Sequence, residues 1–186
     1  MSRDEKFRGV IDVAYVEAIY NSSPLHDIGK VGIRDSVLLK PGKLTAEEWE
    51  LMKNHTLIGA EVLSAAGESL SQKNWLSLAL TIALQHHEKF DGSGYPYGLV
   101  GTELDLSARI VALADAYDAI TSKRVYKSAL GHDTARRRIL EACGSHFDPD
   151  VVAAFVAIED QFLTVRNRYS DDESFADNET LLDAAV

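Results

Sequence analysis

Apolar residues recur along this chain at intervals of three and four, and the strict alternation that marks a strand is scarce. Val13, Val16, Ile19 and Tyr20 have that spacing and predict a helix over about residues 10–25. The stretch GIRDSVLLKPGKL breaks the pattern with Gly32, Pro41 and Gly42. Thr45 with Glu48 then reads as a capping box that opens a helix to about Ala66, placing His55 in mid-helix. A further helix is predicted from about Ser71 to His87 through WLSLALTIAL. The loop EKFDGSGYPYGLVGTELD follows, with four glycines and one proline, too long for a plain connector. LSARIVALADAYDAI is apolar nearly all round, as a central helix is. Helices from about Asp133 to Cys143 and from Asp148 to about Arg166 complete the chain, with Pro149 suited to a first turn. No internal repeat and no second domain is evident, so the predicted class is all-α, a helical bundle.

With 186 residues, 46% of them hydrophobic, the chain can form one domain with a sizeable core. A formal net charge of −10 argues against binding DNA or RNA polymers, which demands a basic face, but not against one small anion in a local basic pocket. From Tyr169 onward there are six acidic residues and no Lys or Arg, so residues 169–186 are expected to be an acidic, disordered tail. No apolar run approaches a membrane span, and the opening MSRDEKFRGV lacks a signal's apolar core. Cys143 is the sole cysteine, which excludes an intrachain disulfide. The expectation is a cytoplasmic protein with no membrane partner.

Several polar residues stand where apolar ones would be cheaper. His26 and Asp27 are adjacent near a helix end, His86 and His87 close another helix, and Asp115 lies within an apolar helix with Asp118 three residues on. Each has an ordinary explanation. His55 suits a hydrogen-bonded surface position, the His-Asp pair a cap, and His86-His87 a helix end that favours positive charge. Asp115 could pair with Arg109 or Arg124. Together, imidazoles and carboxylates without cysteine suit iron or manganese better than structural zinc, and Asp27 has two oxygens with which to bridge two ions.

LHDIGKVGI, the later His55, HHEKFDGSGYP and LADAYDAITSKRVYK resemble the HD-GYP domain, a branch of the HD-domain metal phosphohydrolases, over residues 15–165. KVGIRDSVLLKPGKL and FDPDVVAAFVAIEDQF look most like the output domains of two-component response regulators. The resemblance implies an HD-domain helical bundle that hydrolyses cyclic di-GMP to pGpG, and in some members on to GMP, in bacterial second-messenger signalling. It implies metal ligands at His26, Asp27, His55, His86, His87 and Asp115, and a divalent cofactor, iron or manganese, with one or two ions held. Lys30 would face the scissile phosphate, with Lys30 and Asp27 catalytic. Arg124 and Lys127 would hold phosphates or bases, and Gly94-Tyr95-Pro96 is the second namesake motif. The implied protein partners are diguanylate cyclase domains or a receiver domain. Without the resemblance, Lys30 is equally a helix-end charge, Arg124 and Lys127 a solvated patch, and Gly92, Gly94 and Pro96 plain turn chemistry. Glu88 and Asp91 are either partners of the histidines or surface acids.

The pattern departs from the family in two places. The family's earlier helix supplies a histidine, and often a glutamate, to the metals, yet none of the 25 residues before His26 is a histidine, so one metal position lacks its usual ligand. Residues 1–168 are therefore expected to be an HD-GYP domain lacking its first ligand-bearing helix, with three ions possible only if that helix were present. Val125 replaces the proline common in the family between Arg and Tyr. The departures make the alternative a catalytically impaired module that binds cyclic di-GMP or another protein. A third reading is a phosphohydrolase for another nucleotide.

Overall fold

The computed structural model describes residues 5–69, 74–122 and 130–169. Its helices are α1 (Val13–Ser22), α2 (Asp35–Leu38), α3 (Ala46–Lys53), α4 (His55–Ser69), α5 (Asn74–Gln85), α6 (Leu106–Thr121), α7 (His132–Glu141), α8 (Pro149–Ala157) and α9 (Glu159–Tyr169). Among the described residues there is no strand, only isolated bridges such as Asp91 with Val100. No described helix is long and apolar enough to cross a membrane. Arg124, Lys127 and residues 170–186 of the expected tail lie outside the described residues.

Helix α1 opens where the Asp12 carboxylate accepts the Tyr15 N–H at 2.7 Å. It ends earlier than the pattern predicts, giving way to a 3-10 turn over Ser23–Leu25. The helix is apolar on two sides, and of the four residues the spacing singled out only Ile19 lies on the side it buries. Ile11 and Tyr15 pack against the core and Ser22 is fully buried, its hydroxyl donating to the Trp75 carbonyl at 2.6 Å. Val13, Val16 and Tyr20 face outward, at 75%, 52% and 79% exposure.

The predicted Thr45 box is present: Thr45 Oγ1 accepts the Glu48 N–H and the Glu48 carboxylate accepts the Thr45 N–H. The single helix expected to follow is two. α3 ends at Lys53, Asn54 turns the chain, and His55 is the first residue of α4 rather than a mid-helix position. The expected C-terminal helix also divides, at Ile158, and the turn brings Phe162 edge-on to Phe155 and Tyr117 at ring distances of 4.9 and 5.1 Å.

α6 is central as expected, packing against α5, α7 and α8. One apolar cluster gathers Leu113, Tyr117, Ile139, Val152 and Phe155 from α6, α7 and α8; another gathers Leu63, Leu76, Ala79 and Ala83 from α4 and α5. Arg109, one of the two partners considered for Asp115, is engaged elsewhere. It pairs with Asp148, the buried N-cap of α8. Between α1 and α2 the chain makes a 3-10 turn over Ile28–Gly32 that lies against α4. The approach there is backbone to backbone: a Cβ on Gly29 would stand 1.9 Å from the His55 carbonyl oxygen and 2.4 Å from the Gly59 nitrogen.

Candidate metal centre

That contact sets Asp27, just ahead of Gly29, beside His55 at the start of α4. His86 and His87 follow directly on α5 and complete the group. One ligand atom from each of Asp27, His55, His86 and His87 lies within 4.8 Å of the others. His55 and His86 are almost fully buried, at 1% and 2% exposure.

Backbone carbonyls fix how these rings present themselves. His55 Nδ1 sits 2.8 Å from the Met52 carbonyl, and His86 Nδ1 sits 3.1 Å from those of Ile82 and Ala83. A carbonyl only accepts, so each Nδ1 carries the proton and each Nε2 offers a lone pair. The two Nε2 atoms face one another at 3.5 Å. Asp27 Oδ1 is 3.5 Å from His55 Nε2 and 3.9 Å from His86 Nε2, and it is buried without a hydrogen-bond donor. Three proton-free donor atoms thus point at one another, which is repulsive unless a cation lies between them. With nitrogen–metal bonds of about 2.1 Å, a 3.5 Å separation is what two imidazoles on one ion require.

Protonation is disfavoured here as well. Burial pushes the His86 pKa down to about 3, with the neighbouring imidazoles adding to the effect. Burial likewise depresses His55 and His87. Neutral imidazole is the ligating form.

The second Asp27 oxygen faces other groups. Oδ2 accepts the Lys30 ammonium at 2.6 Å and lies 3.2 Å from His26 Nε2, which is itself 3.7 Å from Asp115 Oδ1. Burial opposes ionisation of Asp27, but the hydrogen bonds from His26 and Lys30 and the charge of Lys30 outweigh it and hold the carboxyl well below its usual range. Burial also opposes charging His26, yet the hydrogen bond and charge of Asp27 outweigh it and raise that pKa. The structure therefore gathers His26, Asp27, Lys30, His55, His86, His87 and Asp115 in one region, with Asp27 between two halves. Asp118, in contrast, is exposed and accepts the Ser122 hydroxyl at 2.9 Å.

The glycine-rich loop closes over His87. Tyr95 stacks on that imidazole, with ring centroids 4.9 Å apart and 25° between planes, and the Tyr95-Pro96 peptide is cis. Gly94 admits no side chain, since a Cβ would lie 2.3 Å from the Lys89 nitrogen. Glu88 is neither a partner of the histidines nor a surface acid. It is 1% exposed and its carboxylate accepts the backbone N–H groups of Tyr97, Gly98 and Leu99 at 2.6, 3.2 and 3.2 Å. Asp91 is a turn residue that accepts the Ser93 N–H at 2.8 Å.

Two neighbours escaped the sequence reading. Trp49 on α3 meets Tyr95 edge-on at 6.3 Å, and Lys53 Nζ lies 5.6 Å from the centre of the Tyr95 ring. Their spacing of four puts them on one face of α3, six and two residues upstream of His55, and that was the available signal.

Comparison with known proteins agrees with this geometry. A cyclic di-GMP phosphodiesterase of Vibrio cholerae is 52% identical over 166 residues, which is 89% of this chain and 34% of that protein. A cyclic di-GMP phosphodiesterase response regulator of Xanthomonas campestris pv. campestris is 46% identical over 155 residues, 83% of this chain and 40% of the relative. A 3'3'-cGAMP-specific phosphodiesterase 2 of Vibrio cholerae is 42% identical over 155 residues, 83% of this chain and 29% of the relative. The chain spans less than half the length of each of these relatives. The family described as HD domain matches residues 13–151. With that match covering most of its length, the chain belongs to the HD-domain family.

Proposed function

We propose that this chain is a metal-dependent phosphodiesterase module that hydrolyses cyclic di-GMP to linear pGpG, with GMP as the product of any second cleavage. The observation that carries the reading is the convergence of His55 Nε2, His86 Nε2 and Asp27 Oδ1 on one buried point. In this reading His26, Asp27, His55, His86, His87 and Asp115 are the ligands, and residues 1–168 are the functional unit. Oxygen and nitrogen donors without sulfur favour iron or manganese, at one or two positions. The two-sided placement of Asp27 supports a bridging role: Oδ1 toward the His55–His86 pair and Oδ2 toward His26.

A divalent ion held there supplies Lewis acidity, polarising phosphoryl oxygens and lowering the pKa of water. Lys30 uses one N–H on Asp27 and, at 38% side-chain exposure, keeps its others for a phosphoryl oxygen on which negative charge grows. Water adds to phosphorus as the bond to a ribose 3′-oxygen breaks. The oxygen leaves with a proton and the phosphate stays on the 5′ side of pGpG. Arg124 and Lys127, outside the described residues, are proposed to hold the remaining phosphate or a base edge. Diguanylate cyclase domains or a receiver domain are the protein partners this reading proposes.

The test is turnover of cyclic di-GMP by the purified chain loaded with manganese or ferrous iron, read as pGpG and GMP by chromatography. Binding without product would support the impaired module instead. Asp27→Ala and His55→Ala are each expected to lose metal at one position, and unchanged metal content in both variants would overturn the ligand assignment.

A further inference from the structure

The phosphodiesterase reading offers a base edge at most Arg124 or Lys127 and leaves open what the purine stacks on. α3 is otherwise a charged helix, AEEWELMK, yet it carries Trp49 at 46% exposure beside the site. An indole in that position has two neighbours that bear on chemistry. Tyr95 meets it edge-on at 6.3 Å, and Tyr95 itself lies flat on His87 of the metal cluster. Lys53, one turn along the same face, brings its ammonium to 5.6 Å from the Tyr95 ring. Aromatic rings thus step outward from the ligand His87 through Tyr95 to Trp49, with a cation alongside.

A phosphodiester at the cluster carries a ribose and a purine on each side, and the purine must lie a nucleoside's length away. The rings leave His87 in two steps, 4.9 Å to Tyr95 and 6.3 Å on to Trp49. Any nucleobase has a π-face, and stacking on an exposed aromatic side chain contributes substantially to nucleotide affinity. The geometry points to Trp49 as the stacking platform for one guanine of the substrate and to Lys53 as the donor that reads its edge. Guanine presents two acceptors, O6 and N7, on that edge, whereas adenine presents N7 beside an amino group that only donates. A lysine therefore prefers guanine. Lys53 is held by Glu50 at 2.7 Å, but Glu50 is 69% exposed, so the pair is weak and the ammonium can be exchanged for a base. This inference rests on the phosphodiesterase reading for its substrate, and it names what that site selects.

Two tryptophans are present, Trp49 and Trp75, so fluorescence separates binding from turnover. In metal-loaded Trp75→Phe, cyclic di-GMP should quench the remaining indole on mixing, before it is consumed. In Trp49→Phe, where Trp75 remains, it should not. Trp49→Ala should raise KM for cyclic di-GMP about tenfold with kcat within about twofold, the size of effect expected for one lost base stack. Trp49→Phe should restore most of that loss. Lys53→Met should narrow the preference for cyclic di-GMP over cyclic di-AMP about tenfold, as loss of one base-edge contact would. Quenching in Trp75→Phe with no turnover by the parent chain would sustain the platform while refuting hydrolysis. Turnover with no quenching in Trp75→Phe, or an unchanged KM in Trp49→Ala, would overturn the platform while leaving hydrolysis intact. A fall in kcat and metal content together in Trp49→Ala, unrelieved by Trp49→Phe, would assign Trp49 to structure alone and also overturn it.

Discussion

Glu88→Gln tests whether one buried carboxylate holds the glycine-rich loop over the site. Oε1 of Glu88 accepts from Tyr97 and Gly98 and Oε2 accepts from Leu99, with the side chain shut away from water. Glutamine keeps the volume and one oxygen. That oxygen retains two contacts, now without charge, so each drops from roughly 1.5–3 kcal/mol toward 1 kcal/mol. The new amide NH2 confronts the third N–H, donor against donor, and leaves a buried group unsatisfied at about 1–3 kcal/mol. Allowing for non-additivity, the loss is about 2–4 kcal/mol. For a chain of this size that corresponds to a fall in Tm of about 5–15 °C. Calorimetry gives the Tm, and hydrogen exchange at Tyr97, Gly98 and Leu99 shows whether the loop loosens first. Metal content should persist, because the Glu88 carboxylate bonds loop amides and none of the proposed ligands. A Tm within about 1 °C of the parent, with unaltered exchange at those amides, would refute the reasoning.

Gly29→Ala forces a Cβ into the His55 carbonyl and the Gly59 backbone, so a stability loss of at least about 3 kcal/mol is expected by denaturant titration. His146, stacked on Phe147, has its pKa lowered to about 4 by burial, with Lys89 contributing. The unfolded histidine takes its proton near pH 6.5. The stability owed to the neutral ring is therefore complete above that pH and is lost as the pH falls toward 4, about 1–2 kcal/mol between pH 7 and 5; His146→Asn should flatten that slope in paired denaturant titrations. Chelation should lower the Tm of metal-loaded protein, and restored manganese should raise it by about 5 °C or more at a hundredfold excess over Kd.

Much of the centre was legible because its residue types are costly where they stand. A buried histidine such as His86, or an aspartate in the apolar run of α6, asks for an explanation from sequence alone. The placement of His55 was harder. No glycine or proline marks the turn at Asn54, so the chain read as one helix where the structure makes two. The same is true at Ile158, where gathering Phe155 and Phe162 on Tyr117 outweighs helix continuity. On α1 two apolar sides compete, and only tertiary packing selects Tyr15 over Val13 and Val16. Glu88 was ambiguous because its partners are backbone amides, which any sequence possesses.

The short bond between Lys30 and Asp27 makes position 27 awkward to interpret by mutation. Removing its carboxylate would take a donor atom from the proposed metal centre and, in the same stroke, unmoor the ammonium that the phosphodiesterase reading assigns to phosphate. Any Asp27 variant is a double lesion, and its deficit overstates what the carboxylate contributes as a ligand. Only Lys30 variants, compared alongside, can divide the two.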